Sequence, residues 1–163
     1  MKKLLYLCLP AILLGCDFRE PIEPSTVFSA VLMDRSELEK SIRFTEPQPL
    51  VNAGKIYIKD HFLFINELFR GVHVYNNADP ANPELLGFIT IPGNVDISVD
   101  GTTIYADNAV DLVALRYNGS TIEVLDRNRD VFPELSPPDT PGRIPSEFTR
   151  EIRPENTVIV RWE

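Results

Sequence analysis

Two cysteines and two histidines supply all the thiol and imidazole groups of this 163-residue chain. Cys16 stands directly after an apolar run, Leu4 to Leu14, and directly before polar Asp17, Arg19 and Glu20. His61 and His73 are twelve residues apart, with no second histidine at helical spacing and no glutamate placed to make a zinc motif. Asn94, Asp96, Asp100, Asp107 and Asp111 bring several oxygens close together in sequence, the raw material of a calcium cage. Their spacing departs from the Asp-x-Asp-x-Asp-Gly loop, and they fall at strand ends and turns, where such carboxylates are solvated or cap the turn. Glu67, Glu84 and Glu123 form no paired-carboxylate signature, no serine sits in a Gly-x-Ser-x-Gly elbow, and no Gly-rich loop cradles phosphate. Tyr57, Phe62, Phe64, Phe69, Tyr75, Phe88 and Tyr105 could stack on sugars, yet aromatics that alternate along strands more naturally fill a core. These residue types point to no catalytic centre, no metal and no cofactor.

The elements around Cys16 decide what its thiol is for. Lys2 and Lys3 precede the apolar run, which is about eleven residues and holds Pro10. A spanning helix needs about 20 apolar residues, so the run is a secretory signal in layout and not a membrane span. Leu13-Leu14-Gly15-Cys16 resembles a lipoprotein lipobox. The resemblance implies cleavage before Cys16, diacylglyceryl transfer to its thiol and acylation of its new amine. Several acyl chains hold a protein stably on a membrane. Removal of residues 1–15 from the 163 leaves 148, the size of one domain, and the loss of Lys2 and Lys3 takes the formal charge from −8 to −10. Cys8 leaves with the signal and Cys16 carries lipid, so that chain has no free thiol and no disulfide. Its acidity disfavours nucleic acid and serves solubility.

Asp17 to Ser25, with Pro21 and Pro24, reads as an extended tether. Val27 to Met33 is a strand or a docked segment. Asp34 to Ile42 predicts a short helix, with Asp34 as its cap, Glu37 three residues on, and Leu38 and Ile42 sharing a face. Pro47 and Pro49 enforce extended chain. Beyond Gly54 the apolar period becomes two, and four short strands follow: Lys55–Lys59, Phe62–Asn66, Gly71–Tyr75 and Leu85–Ile91. The pattern then recurs at an offset of 41. Ile56-Tyr57-Ile58 meets Ile97-Ser98-Val99, Leu63-Phe64-Ile65 meets Ile104-Tyr105-Ala106, and Val72-His73-Val74 meets Val113-Ala114-Leu115. Asn118-Gly119 supplies a hairpin turn, and Thr121 to Asp126 the fourth strand of the second copy. A period near 40 built of four strands is that of a β-propeller blade. Six prolines from Pro133 to Pro154 read as linker, and Thr157 to Trp162 as a last strand. The expected organisation is a signal at 1–15, tether and helix at 16–53, two β repeats at 54–132, and a Pro-rich linker with terminal strand at 133–163.

The segment Gly71-Val72-His73-Val74-Tyr75-Asn76-Asn77-Ala78-Asp79-Pro80 resembles the LVIVD repeat of bacterial and archaeal surface proteins. The second copy is similar through Tyr105-Ala106-Asp107 and Asp111 to Leu115. Asn76 stands where that repeat has Asp, and copy two lacks its Asp-Pro turn. With the lipobox and the Glu37-Leu38-Glu39-Lys40 helix, the chain resembles lipoproteins of Bacteroidota. The resemblance implies an all-β fold: two four-stranded antiparallel blade-like repeats, a partial propeller, behind a lipoprotein signal, tether and short helix. Two blades do not close a ring, so open sheet edges are expected, and such edges invite pairing. The implied function is a non-catalytic interaction module, lipid-anchored through Cys16 in the cell envelope, at the outer membrane on its periplasmic or surface face. Its expected partner is an envelope protein, or a second copy joined through the sheet edges. The alternatives are a glycan-binding or uptake accessory, and the N-terminal part of a longer propeller whose site lies elsewhere.

Overall fold

A computed structural model describes residues 25–163. The signal, Cys16 and the tether up to Pro24 lie outside the described residues. The described chain is mostly β, in several antiparallel sheets, none of them closed. In chain order the elements are β1 (Ala30–Asp34), α1 (Arg35–Lys40), β2 (Arg43–Thr45), β3 (Ala53–Lys59), β4 (Phe62–Glu67), β5 (Gly71–Asn76), β6 (Glu84–Thr90), β7 (Ile97–Asp100), β8 (Thr103–Asn108), β9 (Asp111–Tyr117), β10 (Ile122–Asn128), a 3₁₀ turn (Ser146–Phe148) and β11 (Thr157–Trp162). Sheet one has the order β2-β6-β5-β4-β3, sheet two β10-β9-β8-β7, and β1 pairs with β11. Asp34 caps α1 by accepting the Ser36 N–H at 2.7 Å, and Leu38 is fully buried. No described helix is long and apolar enough to cross a membrane.

Sheet one differs from the expected four strands. Three residues around Phe44, between the expected helix and Pro47, add β2 to the free edge of β6. The chain then crosses from that edge to the opposite one, where β3 begins. The crossing segment, residues 46–52, passes over one face of the sheet.

The ladders of the two sheets match position by position. In sheet one Ile56 faces Ile65, which faces His73, which faces Phe88. In sheet two Ile97 faces Ala106, which faces Val113, which faces Arg127. Asp60 (φ 54°) and Gly101 (φ 56°) turn the same corner between the first and second of these strands. Leu86 in β6 and Leu125 in β10 bulge at the same rung, between the partners of Val74 and Tyr75 in one sheet and of Ala114 and Leu115 in the other. The offset is 41 for the first two strands, 40 for the third and 39 for the fourth. The constant offset read from sequence therefore fails at the third strand: His73 matches Val113, and Tyr75 matches Leu115. The reason is a turn. Three residues, Leu68 to Arg70, join β4 to β5, whereas Ala109 and Val110 alone join β8 to β9. A one-residue slip moves every side chain to the other face.

That slip sets the packing. Phe64, Val72, Val74 and Ile89 of sheet one meet Ile97, Ile104, Ala106, Val113 and Leu115 of sheet two in the main core. A second cluster joins Leu38, Val158 and Val160 to Ala109 and Val110, with Val31 and Met33 packed against it. It seats the β1–β11 pair on the β8–β9 turn. Gly93 (φ 75°) crosses beneath that turn, and a Cβ on it would lie 2.7 Å from Ala109. Residues 129–156 form no strand but are tied down. Phe132 N–H donates to Val110 O, Trp162 Nε1 to Leu135 O, and Val27 N–H to Asp139.

Candidate functional site

Glu67 ends β4, and the neighbouring strand β5 carries His73 on the same face. His73 Nε2 lies 3.2 Å from Glu67 Oε2, and both side chains are sealed from water. The same carboxylate accepts N–H groups of Val51 (3.0 Å) and Asn52 (2.6 Å), the end of the crossing segment. Burial opposes ionisation of Glu67, but these three donors outweigh it and hold its carboxyl below the ordinary 4.5. Phe88 stacks edge-on against His73, with centroids 4.8 Å apart. A carboxylate–imidazole pair can serve acid–base chemistry, but here the carboxylate's bonds fasten residues 46–52 to the sheet. His61 lies elsewhere, on the β3–β4 corner beside Phe62, so the two histidines do not meet.

The oxygens named from sequence are separated by their bonds. Asp107 Oδ1 accepts Asn94 Nδ2 at 2.8 Å and the N–H groups of Val95 and Asp96 at 2.9 Å each, capping the turn into β7. Burial pushes its carboxyl above the ordinary 3.8, and the backbone N–H groups only partly offset this. Asp96 pairs with Lys55, and Asp100 ends β7. Among the described residues no three His, Cys, Asp or Glu side chains are grouped to hold a metal ion.

Asp111 anchors a different assembly. Fully buried, it receives Arg35 Nη2 at 2.8 Å, Arg127 Nη1 at 2.6 Å and the Asp130 N–H at 3.1 Å. Arg150 bridges Asp130 (2.9 Å) and Glu134 (2.7 Å), and buried Arg153 forks onto Glu134 while also donating to Thr157 O and Phe148 O. The two arginines hold Glu134 below the ordinary carboxylate range despite its burial. Arg35, Arg150 and Arg153 line a cleft of about 240 Å³. None of these arginines stood out in the sequence, because they lie far apart in it and carry no motif.

The aromatics divide. Phe62, Phe64, Phe44 and Tyr117 cluster at the seam of the two sheets, with centroids 5.1–6.0 Å apart. Tyr105 is half exposed on the outer face of sheet two. The outer face of sheet one is apolar and open beyond the crossing segment, with Ile56 61% and Ile58 66% exposed. Their counterparts in sheet two, Ile97 and Val99, face the core.

No family model matches the chain, and no curated protein or solved structure matches it either.

Proposed function

We propose that the chain is a lipid-anchored, non-catalytic β-repeat module of the cell envelope that docks a protein partner through the outer face of sheet one. One observation carries the reading: on the edge strand of sheet one Ile56 and Ile58 are exposed, whereas Ile97, at the rung of Ile56 in sheet two, is buried. Ile56, Ile58, Leu63, Ile65 and Tyr75 stand at the rungs of Ile97, Val99, Ile104, Ala106 and Leu115. Sheet one covers those residues in sheet two, whereas in sheet one Leu63, Ile65 and Tyr75 are half-buried and Ile56 and Ile58 lie open. Two sheets whose equivalent faces point the same way stack as consecutive propeller blades do, which supports an LVIVD-like partial propeller.

The same comparison favours a different chain over a second copy. The complement of this face is a sheet face like that of Tyr57, Phe64, Val72, Val74 and Ile89. A second copy stacked head to tail would offer the outer face of sheet two, where Ser98, Tyr105, Leu112, Ala114 and Asn128 hold those rungs. That surface is too polar to close an apolar core. The lipobox layout at Cys16 supports the anchor, and residues 17–25 supply reach from the membrane. Replacement of Cys16 by Ser tests the anchor. The account expects an unprocessed precursor without incorporated lipid, and normal lipid labelling of that variant overturns it.

A further inference from the structure

A second cleft, of about 270 Å³, lies between the outer face of sheet one and the β1–β11 pair. Met33 of β1 and Val160 of β11 line it on one side, Phe88 and Thr90 of β6 on the other, with Phe69 of the β4–β5 turn. Phe69 is held in the left-handed region (φ 65°), its N–H donating to Asn94 O at 2.6 Å and its carbonyl accepting from the Gly93 N–H at 3.0 Å. Glycine adopts that conformation most readily, and a bulky residue does so rarely. The turn itself does not call for a ring, because Ala109 (φ 59°) takes the same conformation at the β8–β9 turn with a methyl group. The half-buried ring of Phe69 therefore answers to the cleft that it lines.

The charged residues of the lining are Arg43, Arg70 and Arg161, and among the described residues no carboxylate joins them. Arg161 is already neutralised by Glu163, through Nε at 2.8 Å and Nη2 at 2.6 Å. Arg70 donates through Nη2 to the neutral amide oxygen of Gln48 at 3.0 Å, and Gln48 lines the same cleft. Arg43 stands opposite Thr90 in the β2–β6 ladder, so its side chain leaves sheet one on the face that carries Phe88. Among the described residues neither Arg43 nor Arg70 pairs with a carboxylate, which leaves two positive charges beside an apolar lining in a chain of formal charge −8. That combination fits an anion with an apolar body.

We propose that this cleft binds a small amphiphilic carboxylate, its apolar body against Met33, Phe69, Phe88 and Val160 and its charge on Arg43 and Arg70. An arginine fork meets a planar carboxylate through two parallel N–H bonds. A phosphate dianion, more strongly hydrated, loses more on leaving water for so apolar a lining. The proposal does not depend on docking at Ile56 and Ile58, which stand on β3, at the opposite edge of sheet one from β2 and β6.

The test titrates the full-length protein, in uncharged detergent at constant ionic strength, with phenylpropionate and with its neutral counterpart phenylpropionamide, and records heat. The expected result is one saturable site for the carboxylate, about tenfold or more tighter than for the amide or for acetate. Arg43→Gln and Arg70→Gln each weaken the carboxylate about tenfold and leave the amide unchanged. Arg116→Gln, which removes the partner of Glu123 on sheet two, changes neither. Arg43 and Arg70 are exposed, so their variants retain the fold. Phe69→Gly, which suits the left-handed backbone, weakens carboxylate and amide alike, and the arginine variants decide the matter if it unfolds. An absence of saturation, equal affinity for carboxylate and amide, or wild-type affinity in either arginine variant overturns the proposal.

Discussion

Ile56 and Ile97 occupy the same rung of their two sheets, yet Ile97 is 2% exposed and Ile56 61%. Each is the outermost apolar residue of a four-strand row, facing Ile65 in one sheet and Ala106 in the other. What differs is the neighbour. Sheet one lies over Ile97, whereas Ile56, at the edge of its own row, is open to solvent. The stability of the isolated protein should register that difference. Ile97→Ala removes buried methyl groups and should cost about 3 kcal/mol, whereas Ile56→Ala should cost less than about 1 kcal/mol. Denaturant unfolding of both variants checks this, and equal costs would mean that the two faces are equally covered.

Glu67 should behave as a bolt whose strength depends on pH. Its carboxyl is held below the ordinary value, so its contribution is present above 4.5 and fades as pH falls through the lower folded value. Glu67→Gln replaces an acceptor oxygen by an NH₂ group, which faces the N–H groups of Val51 and Asn52 or the His73 ring. The expected loss is about 1–3 kcal/mol at pH 7, shrinking towards zero in acid. Thermal unfolding from pH 7 to pH 3 reads it. A pH-independent loss would remove the carboxylate's charge from the explanation.

Asp107 should show the opposite sign. Burial raises its carboxyl above 3.8, so the folded state holds the proton more tightly than the unfolded chain does. Stability from that proton is complete below 3.8 and lost as pH rises through the folded value. All three donors reach Oδ1 alone, and an asparagine keeps that acceptor without the charge. Asp107→Asn should therefore leave the protein as stable as wild type or more so at pH 7, with the advantage vanishing in acid. A clear destabilisation at pH 7 would show that the turn needs the negative charge.

The contrast between these two carboxylates shows what a sequence can and cannot disclose. Strands at period two were legible, because alternation along Ile56 to Lys59 or Ile97 to Val99 is the direct imprint of a half-buried sheet. Turn-capping by Asp107 was legible from its place at a strand end. The slip at the third strand was not, because residue types survive a one-residue shift when Val72, Val74, Tyr75, Val113 and Leu115 are all apolar. The Glu67–His73 contact follows from hairpin register once the three-residue turn at Leu68 to Arg70 is known, and the turn length was the missing quantity. The arginine cleft was invisible for a different reason. Arg35, Asp111, Arg150 and Arg153 meet only because β1 pairs with β11 across nearly the whole chain, and no local pattern announces a contact at that separation.

The docking claim has a direct measurement. A photo-activatable residue is placed at position 58 or at position 98 of the lipid-anchored protein in its own cells, and adducts are mapped by mass spectrometry. Ile58 is 66% exposed on the outer face of sheet one, and Ser98 lies on the outer face of sheet two. The account predicts one discrete adduct from position 58, with the crosslink on a strand of a different protein, and none of that adduct from position 98. No adduct from position 58, the same adduct from both positions, or a crosslink only to a second copy of this chain would contradict it.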